Sequence, residues 1–341
     1  MSGTKILLAL QGGGSHGALT WGVIDRLLET PRFEICAVSG TSAGAMNAAM
    51  LAQGLAEDGA EHATALLRQY WAEVAQLGLF SPFRRTPRAR FLGSWALDQN
   101  PAYLWYDMMS RFWSPYQMNP LDHNPLRRIL DDRLDLDLLN SDAAPRLYLT
   151  ATNVRTGQPR IFTQPDLTID TILASAALPT LFRAVEIEGD PYWDGGYTGN
   201  PALFPLVRDF PGADLILVQT NPFERNGTPR TAHDIANRMN EITFNAALLK
   251  ELRAAQHLRE KFGTGSAMRL HRVLCDDILN DFAPSSKLNV EAAYLSHLHD
   301  SGYARADRFL TEDGPRIGHE ETFDPATLFA ASQTHIAEVP Q

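Results

Sequence analysis

The chain is punctuated by short apolar runs of strand length and by longer stretches with apolar residues at helical spacing. Residues 5–10 and 33–38 are apolar runs that each lead into glycine, and both read as buried strands. Residues 18–28 carry Leu19, Val23, Ile24, Leu27 and Leu28 at the spacing of one helical face. Residues 45–52 are small and predict a second helix, with a third before residue 75. Further along, 146–152, 160–163, 184–187, 214–218 and 267–275 read as strands, and 125–134 and 289–310 as helices. Thr231, with Asp234 three residues on, marks the start of a long helix to residue 262. Its stripe of Ile235, Met239, Ile242, Leu249 and Leu252 predicts core packing. Strands alternating with helices predict a three-layer α/β/α domain with a mostly parallel sheet. It is expected to span residues 1–312, with residues 313–341 as a partly ordered tail.

Residues 78–123 break this rhythm. They hold ten of the chain's thirty-one aromatics, including Phe80, Phe83, Phe91 and Trp95, and five prolines interrupt any period. Such a segment reads either as an insertion over an apolar pocket or as a satellite of the core. On the first reading, Trp105, Met109 and Trp113 are candidate pocket residues. Arg84, Arg85, Arg88 and Arg90 form a basic run beside it. Such runs are usually solvated, and contact with a lipid surface is the functional alternative.

Three motifs carry chemistry. Gly40-Thr41-Ser42-Ala43-Gly44 lies between a predicted strand and a predicted helix. A serine on such a sharp turn projects its hydroxyl from the sheet, and glycines two residues away avoid a clash where the flanking chain closes up. Upstream, Gly12-Gly13-Gly14-Ser15-His16-Gly17 joins the first strand to the first helix. Bare backbone N–H groups there can hold an anion, whether a phosphate or a developing oxyanion. Gly12, Gly14 and Gly17 also fit the dinucleotide spacing, but the second strand ends in Ser39-Gly40 where that site calls for an acidic residue. Asp194-Gly195-Gly196 follows an aromatic stretch and reads on its own as a turn.

In this order the three motifs resemble the patatin-like acyl hydrolase family, as do Asn153-Val154-Arg155-Thr156-Gly157 and Ala174-Ser175-Ala176-Ala177-Leu178-Pro179. The resemblance runs from about residue 5 to residue 220. It implies a serine acyl-ester hydrolase, of phospholipase or esterase type, that works through an acyl-serine. Ser42 would be the nucleophile and Asp194 the general base of a Ser–Asp dyad with no histidine. Gly12, Gly13 and Gly14 would form the oxyanion hole, and Gly40, Gly44, Gly195 and Gly196 would support the two turns. The family often has Arg or Lys in the glycine loop where this chain has His16. A non-catalytic regulator on the same scaffold and a nucleotide-binding oxidoreductase are the alternatives.

Composition is that of an ordinary globular protein, with 44% hydrophobic and 21% charged residues. A net charge of −10 argues against nucleic acid as a partner. Cys36 and Cys275 sit in apolar runs and read as buried thiols suited to a reducing compartment, so a cytoplasmic protein is expected, with peripheral membrane contact as an option. No metal-ligand spacing occurs, and no cofactor is expected. The implied partner is an acyl-ester or phospholipid substrate.

Overall fold

A computed structural model describes residues 3–79, 81–225, 227–262 and 268–333; Phe80, Ala267 and the tail beyond residue 333 lie outside the described residues. Eight strands form one sheet: β1 (Thr4–Leu10), β2 (Phe33–Gly40), β3 (Arg146–Asn153), β4 (Pro159–Phe162), β5 (Val185–Ile187), β6 (Asp190–Asp194), β7 (Asp214–Val218) and β8 (Arg269–Val273). β3, β2, β1, β7 and β8 run parallel in that order, and β4, β5 and β6 are antiparallel additions. The mostly parallel sheet predicted from the alternating pattern is present.

The buried strands alternate by face. Ile6, Leu8 and Leu10 point to one side of β1, and Leu7 and Ala9 to the other. On the first side pack α1 (Gly17–Leu28), α2 (Ala43–Asp58), α3 (Ala60–Leu79), α5 (Ile169–Ala174) and α8 (Ala292–Glu312). On the second lie α6 (Phe204–Asp209), α7 (Ala232–Phe262) and α9 (Ala326–Gln333). The result is a three-layer α/β/α sandwich with both faces of the sheet covered, as a parallel sheet requires.

β3 matters most for the site. Its Leu149 pairs with Gly40 of β2 and with Phe162 of β4, so β2 and β4 lie on opposite edges. Its Ala151 pairs with Arg160 of β4 and with Asp194 of β6, so those two are also opposed. β2 and β6 therefore share one edge of β3, end to end. β2 occupies residues 146–149, and β6 takes over at 151–153. This brings the end of β6 beside the end of β2.

Within the expected tail, Ile317, Phe323 and Phe329 are buried. One expectation changes. The long helix α7 buries Leu252 and packs Leu249 against the core, but Ile235, Met239 and Ile242 are exposed. Its N-terminal half leaves the sheet, so the apolar stripe outruns the core that could cover it. Thr231 does cap α7, accepting the Asp234 N–H at 3.1 Å. No helix among the described residues is long and apolar enough to cross a membrane.

Candidate active site

Ser42 sits between β2 and α2 with φ 55° and ψ −122°, a backbone conformation that L-residues rarely adopt. Such strain persists only where the surroundings enforce it. Here the chain closes on itself: a Cβ on Gly40 would meet the Gly44 carbonyl oxygen at 2.6 Å, and one on Gly44 would strike the Leu10 carbonyl. Glycine at both positions is thus a packing requirement. Ser175 completes the clamp, its hydroxyl accepting the Ser42 N–H at 3.0 Å. α2 starts at Ala43, so the positive end of its dipole lies against the serine.

Asp194 is the last residue of β6 and is fully buried. Its Oδ1 accepts the Gly196 N–H at 2.7 Å. The Ser175 carbonyl accepts the Gly195 N–H at 3.2 Å, so one residue braces both the serine turn and the aspartate turn. Gly196 is required because a Cβ there would collide with the Phe244 ring. Burial pushes the Asp194 pKa up to about 7, against the pull of the Gly196 amide and the Ser42 side chain. The hydroxyl of Ser42 is near enough to favour the carboxylate, yet Oδ2 makes no full hydrogen bond and is left buried without a partner. In the free protein the contact is an approach short of a hydrogen bond, of the kind that tightens in catalytic pairs when substrate arrives.

The glycine loop lies against both. A Cβ on Gly12 would meet Ser42 Cβ at 2.6 Å. The Gly12 N–H, however, donates to Asn200 Oδ1 at 2.7 Å, which removes it from the expected oxyanion hole. Gly13 and Gly14 line the cleft, and among the described residues their N–H groups enter no hydrogen bond. Of the three expected oxyanion donors, these two have N–H groups left free for one. His16 is buried and held neutral: burial first, then the charge on Lys287, pull its pKa down to about 3. Its Nε2 meets Ser286 Oγ at 2.9 Å, while Nδ1 lies near the Thr220 carbonyl outside full hydrogen-bond geometry.

A cleft of about 250 Å³ opens over these groups. One wall is α4 (Pro101–Met109), which presents Tyr103, Tyr106 and Asp107; the opposite wall is α7, with Asn237, Asn240 and Phe244. Tyr106 donates to the Thr180 carbonyl at 2.7 Å and so ties α4 to the loop that carries Leu178 and Leu181. The expected pocket residues Trp105, Met109 and Trp113 are absent from the lining. Trp105 and Trp113 are about half exposed on the outer surface. The helical phase differs from that expectation, because α4 turns its 103/106/107 face inward. Trp95 belongs to the core instead, stacked on His297 at 5.3 Å and capped by Arg85 at 3.8 Å. The basic run is also split: Arg85 and Arg90 each pair with Glu291 at 3.2 Å, while Arg84 and Arg88 stay exposed.

Ser175, Asn200 and Lys287 escaped the reading of the sequence. Ser175 lay inside a family-like stretch, but nothing in the order of residues marked Asn200 or Lys287, whose places depend on tertiary contacts. Among the described residues, no cluster of His, Cys, Asp and Glu has the arrangement of a metal site. Cys36 and Cys275 are both free thiols, and burial pushes Cys275 up to about 12.

The chain is similar to VipD from Legionella pneumophila, at 16% identity and a TM-score of 0.41, covering 91% of this chain and 67% of that one. It is also similar to the type III effector ExoU, at 18% identity and a TM-score of 0.28, covering 96% of this chain and 58% of that one. ExoU in complex with SpcU from Pseudomonas aeruginosa gives 16% identity, a TM-score of 0.32 and coverage of 98% and 61%. The chain thus spans about two thirds of VipD and less of ExoU. No curated protein matches it. Residues 8–207 match the model of the patatin-like phospholipase family. That match exceeds half the chain and takes in the glycine loop, the serine turn and Asp194, and the chain belongs to the patatin-like phospholipase family.

Proposed function

We propose that this protein is a lipid acyl-ester hydrolase that works through a Ser42–Asp194 dyad. The observation that carries the reading is a serine on a strained strand-to-helix turn beside a buried carboxylate with an unpartnered oxygen. Asp194 with a pKa near 7 is suited to accept a proton at neutral pH, unlike an exposed carboxylate.

Ser42 Oγ attacks the ester carbonyl carbon and its proton passes to Asp194. The carbonyl electron pair moves onto oxygen, where the Gly13 and Gly14 amides meet it. Collapse of this intermediate breaks the bond to the alcohol, which leaves with the proton held by Asp194. Water then repeats the sequence on the acyl-serine, giving its proton to Asp194, and the carboxylic acid departs as Ser42 recovers a proton. Apolar side chains of the cleft, Leu178, Leu181 and Phe244, suit an acyl chain.

The family name and the cleft both support lipids as the substrate class. The exposed apolar residues beside the cleft suit a membrane surface as the place where it is met. The decisive test is Ser42→Ala, assayed on nitrophenyl esters and on a phospholipid and probed with a fluorophosphonate. Activity and labelling should both disappear while the circular dichroism spectrum is unchanged. Retention of more than about 1% of activity would remove Ser42 as nucleophile, since losing a nucleophile costs several orders of magnitude. A native protein that neither labels nor hydrolyses would instead be a regulator on this scaffold.

A further inference from the structure

The glycine loop carries no charge of its own, because His16 is held neutral. Yet the developing oxyanion is a negative charge in a largely buried cleft, where a nearby cation stabilises it more than in bulk water. Among the described residues that line the cleft, Lys287 is the one lysine or arginine, and it lies there with Gly13, Gly14 and Ser42. It comes from a short 3₁₀ segment, Pro284–Leu288, far from the loop in sequence. Its carbonyl packs so tightly on Gly14 that a Cβ there would strike it. Its ammonium donates to Asn221 Oδ1 at 2.6 Å, and the Asn221 amide in turn donates to the Gly12 carbonyl at 2.6 Å. Lysine and glycine loop are thereby tied through a single asparagine.

We propose that Lys287 is a catalytic residue of this hydrolase, supplying the positive charge that the oxyanion site of Gly13 and Gly14 otherwise lacks. The inference rests on the Ser42–Asp194 reading above. The surroundings keep that charge available. Glu241 faces Lys287 from α7 but is already engaged by Arg225 at 2.8 Å and Arg238 at 3.0 Å. Arg225 faces it from the loop after β7, His16 from the glycine loop is neutral, and Asp194 shares the cleft. The residue keeps some accessible surface, but its ammonium is enclosed, and burial, opposed by Glu241 and aided by Arg225, lowers its pKa to about 8. The free enzyme should therefore show kcat/KM rising through about pH 7 as Asp194 ionises and falling above about pH 8 as Lys287 loses its proton.

The test compares Lys287→Met and Lys287→Arg with the native protein on an uncharged nitrophenyl ester and on a phospholipid. Thermal unfolding serves as a check on folding, and Ser42→Ala is run in parallel. Lys287→Met should lose about 10²-fold in kcat on both substrates with KM within threefold, the size seen when one oxyanion donor is removed. Lys287→Arg should recover most of the loss and move the alkaline limb up by at least one pH unit. If Lys287→Met does not fold, the native and Lys287→Arg profiles still decide. An alkaline limb that is missing, or is not shifted by arginine, overturns the proposal. So does a folded Lys287→Met with kcat within threefold of native, or a loss confined to the phospholipid, which would assign the lysine to its phosphate. An active Ser42→Ala would instead sink the underlying dyad.

Discussion

The burial that suits Asp194 to its proposed role comes at a cost to stability. Burial raises its pKa to about 7, so the folded protein favours the neutral acid. The stability this group contributes is fully present below its unfolded pKa near 4 and is lost as pH rises through about 7. Each pKa unit corresponds to about 1.4 kcal/mol, so at pH 8 the buried carboxylate costs a few kcal/mol. Asp194→Asn is therefore expected to abolish hydrolysis while raising Tm at pH 8 by several degrees. At pH 4 the variant and native proteins should unfold together. Equal Tm differences at both pH values, by differential scanning fluorimetry, would show that the carboxylate is not desolvated as described.

At the scale of elements, α4 is the instructive case. Its residues Tyr103, Tyr106 and Asp107 face the cleft, while Leu104, Trp105 and Met108 face outward. Tyr106→Ala should change the rate ratio between long and short acyl esters by about 10-fold or more, as apolar pocket contacts do. Trp105→Ala should leave that ratio unchanged; a ratio moved equally by both would mean that the helix acts only as a structural brace. The sequence reading fared unevenly here for a physical reason. β1, β2 and β7 were legible as short apolar runs, α1 by its helical spacing of apolar residues, and the start of α7 by its local Thr231 cap. The serine turn was legible because Gly40 answers to Gly44 close by, although Gly44 itself answers to Leu10 of β1. The phase of α4 was not, since the prolines around it conceal the period and aromatic size was a poor guide to facing. Nor was the loss of the Gly12 amide to Asn200, a contact across 188 residues.

Across the whole molecule, exposed apolar side chains gather on the two helices that wall the cleft. Leu104, Trp105 and Met108 stand on α4, Phe112 and Trp113 just beyond it, and Ile235, Met239 and Ile242 on α7. Clusters of this kind mark interaction surfaces. A chain with net charge −10 gains nothing from anionic lipid overall, and two arginines of the basic run are held by Glu291. The triple change Trp105→Ser, Phe112→Ser, Met239→Ser should weaken co-sedimentation with phosphatidylcholine vesicles at least fivefold. Hydrolysis of soluble short esters should stay within twofold. Native protein that fails to sediment with vesicles would remove the membrane reading. The shared edge of β3 has a consequence of another kind. Strands that meet end to end there belong to parts of the chain about 150 residues apart, and closing so long a loop is slow. The serine turn takes its walls from β1, β2 and the first helices, near in sequence, but its Ser175 clamp and the Gly199 carbonyl that holds Thr41 come from far along the chain. Asp194 arrives only when β6 takes its place on β3, so on the proposed dyad a nascent chain cannot hydrolyse an ester until the far end of that edge is filled. The proposed activity would thereby switch on only with the completed sheet.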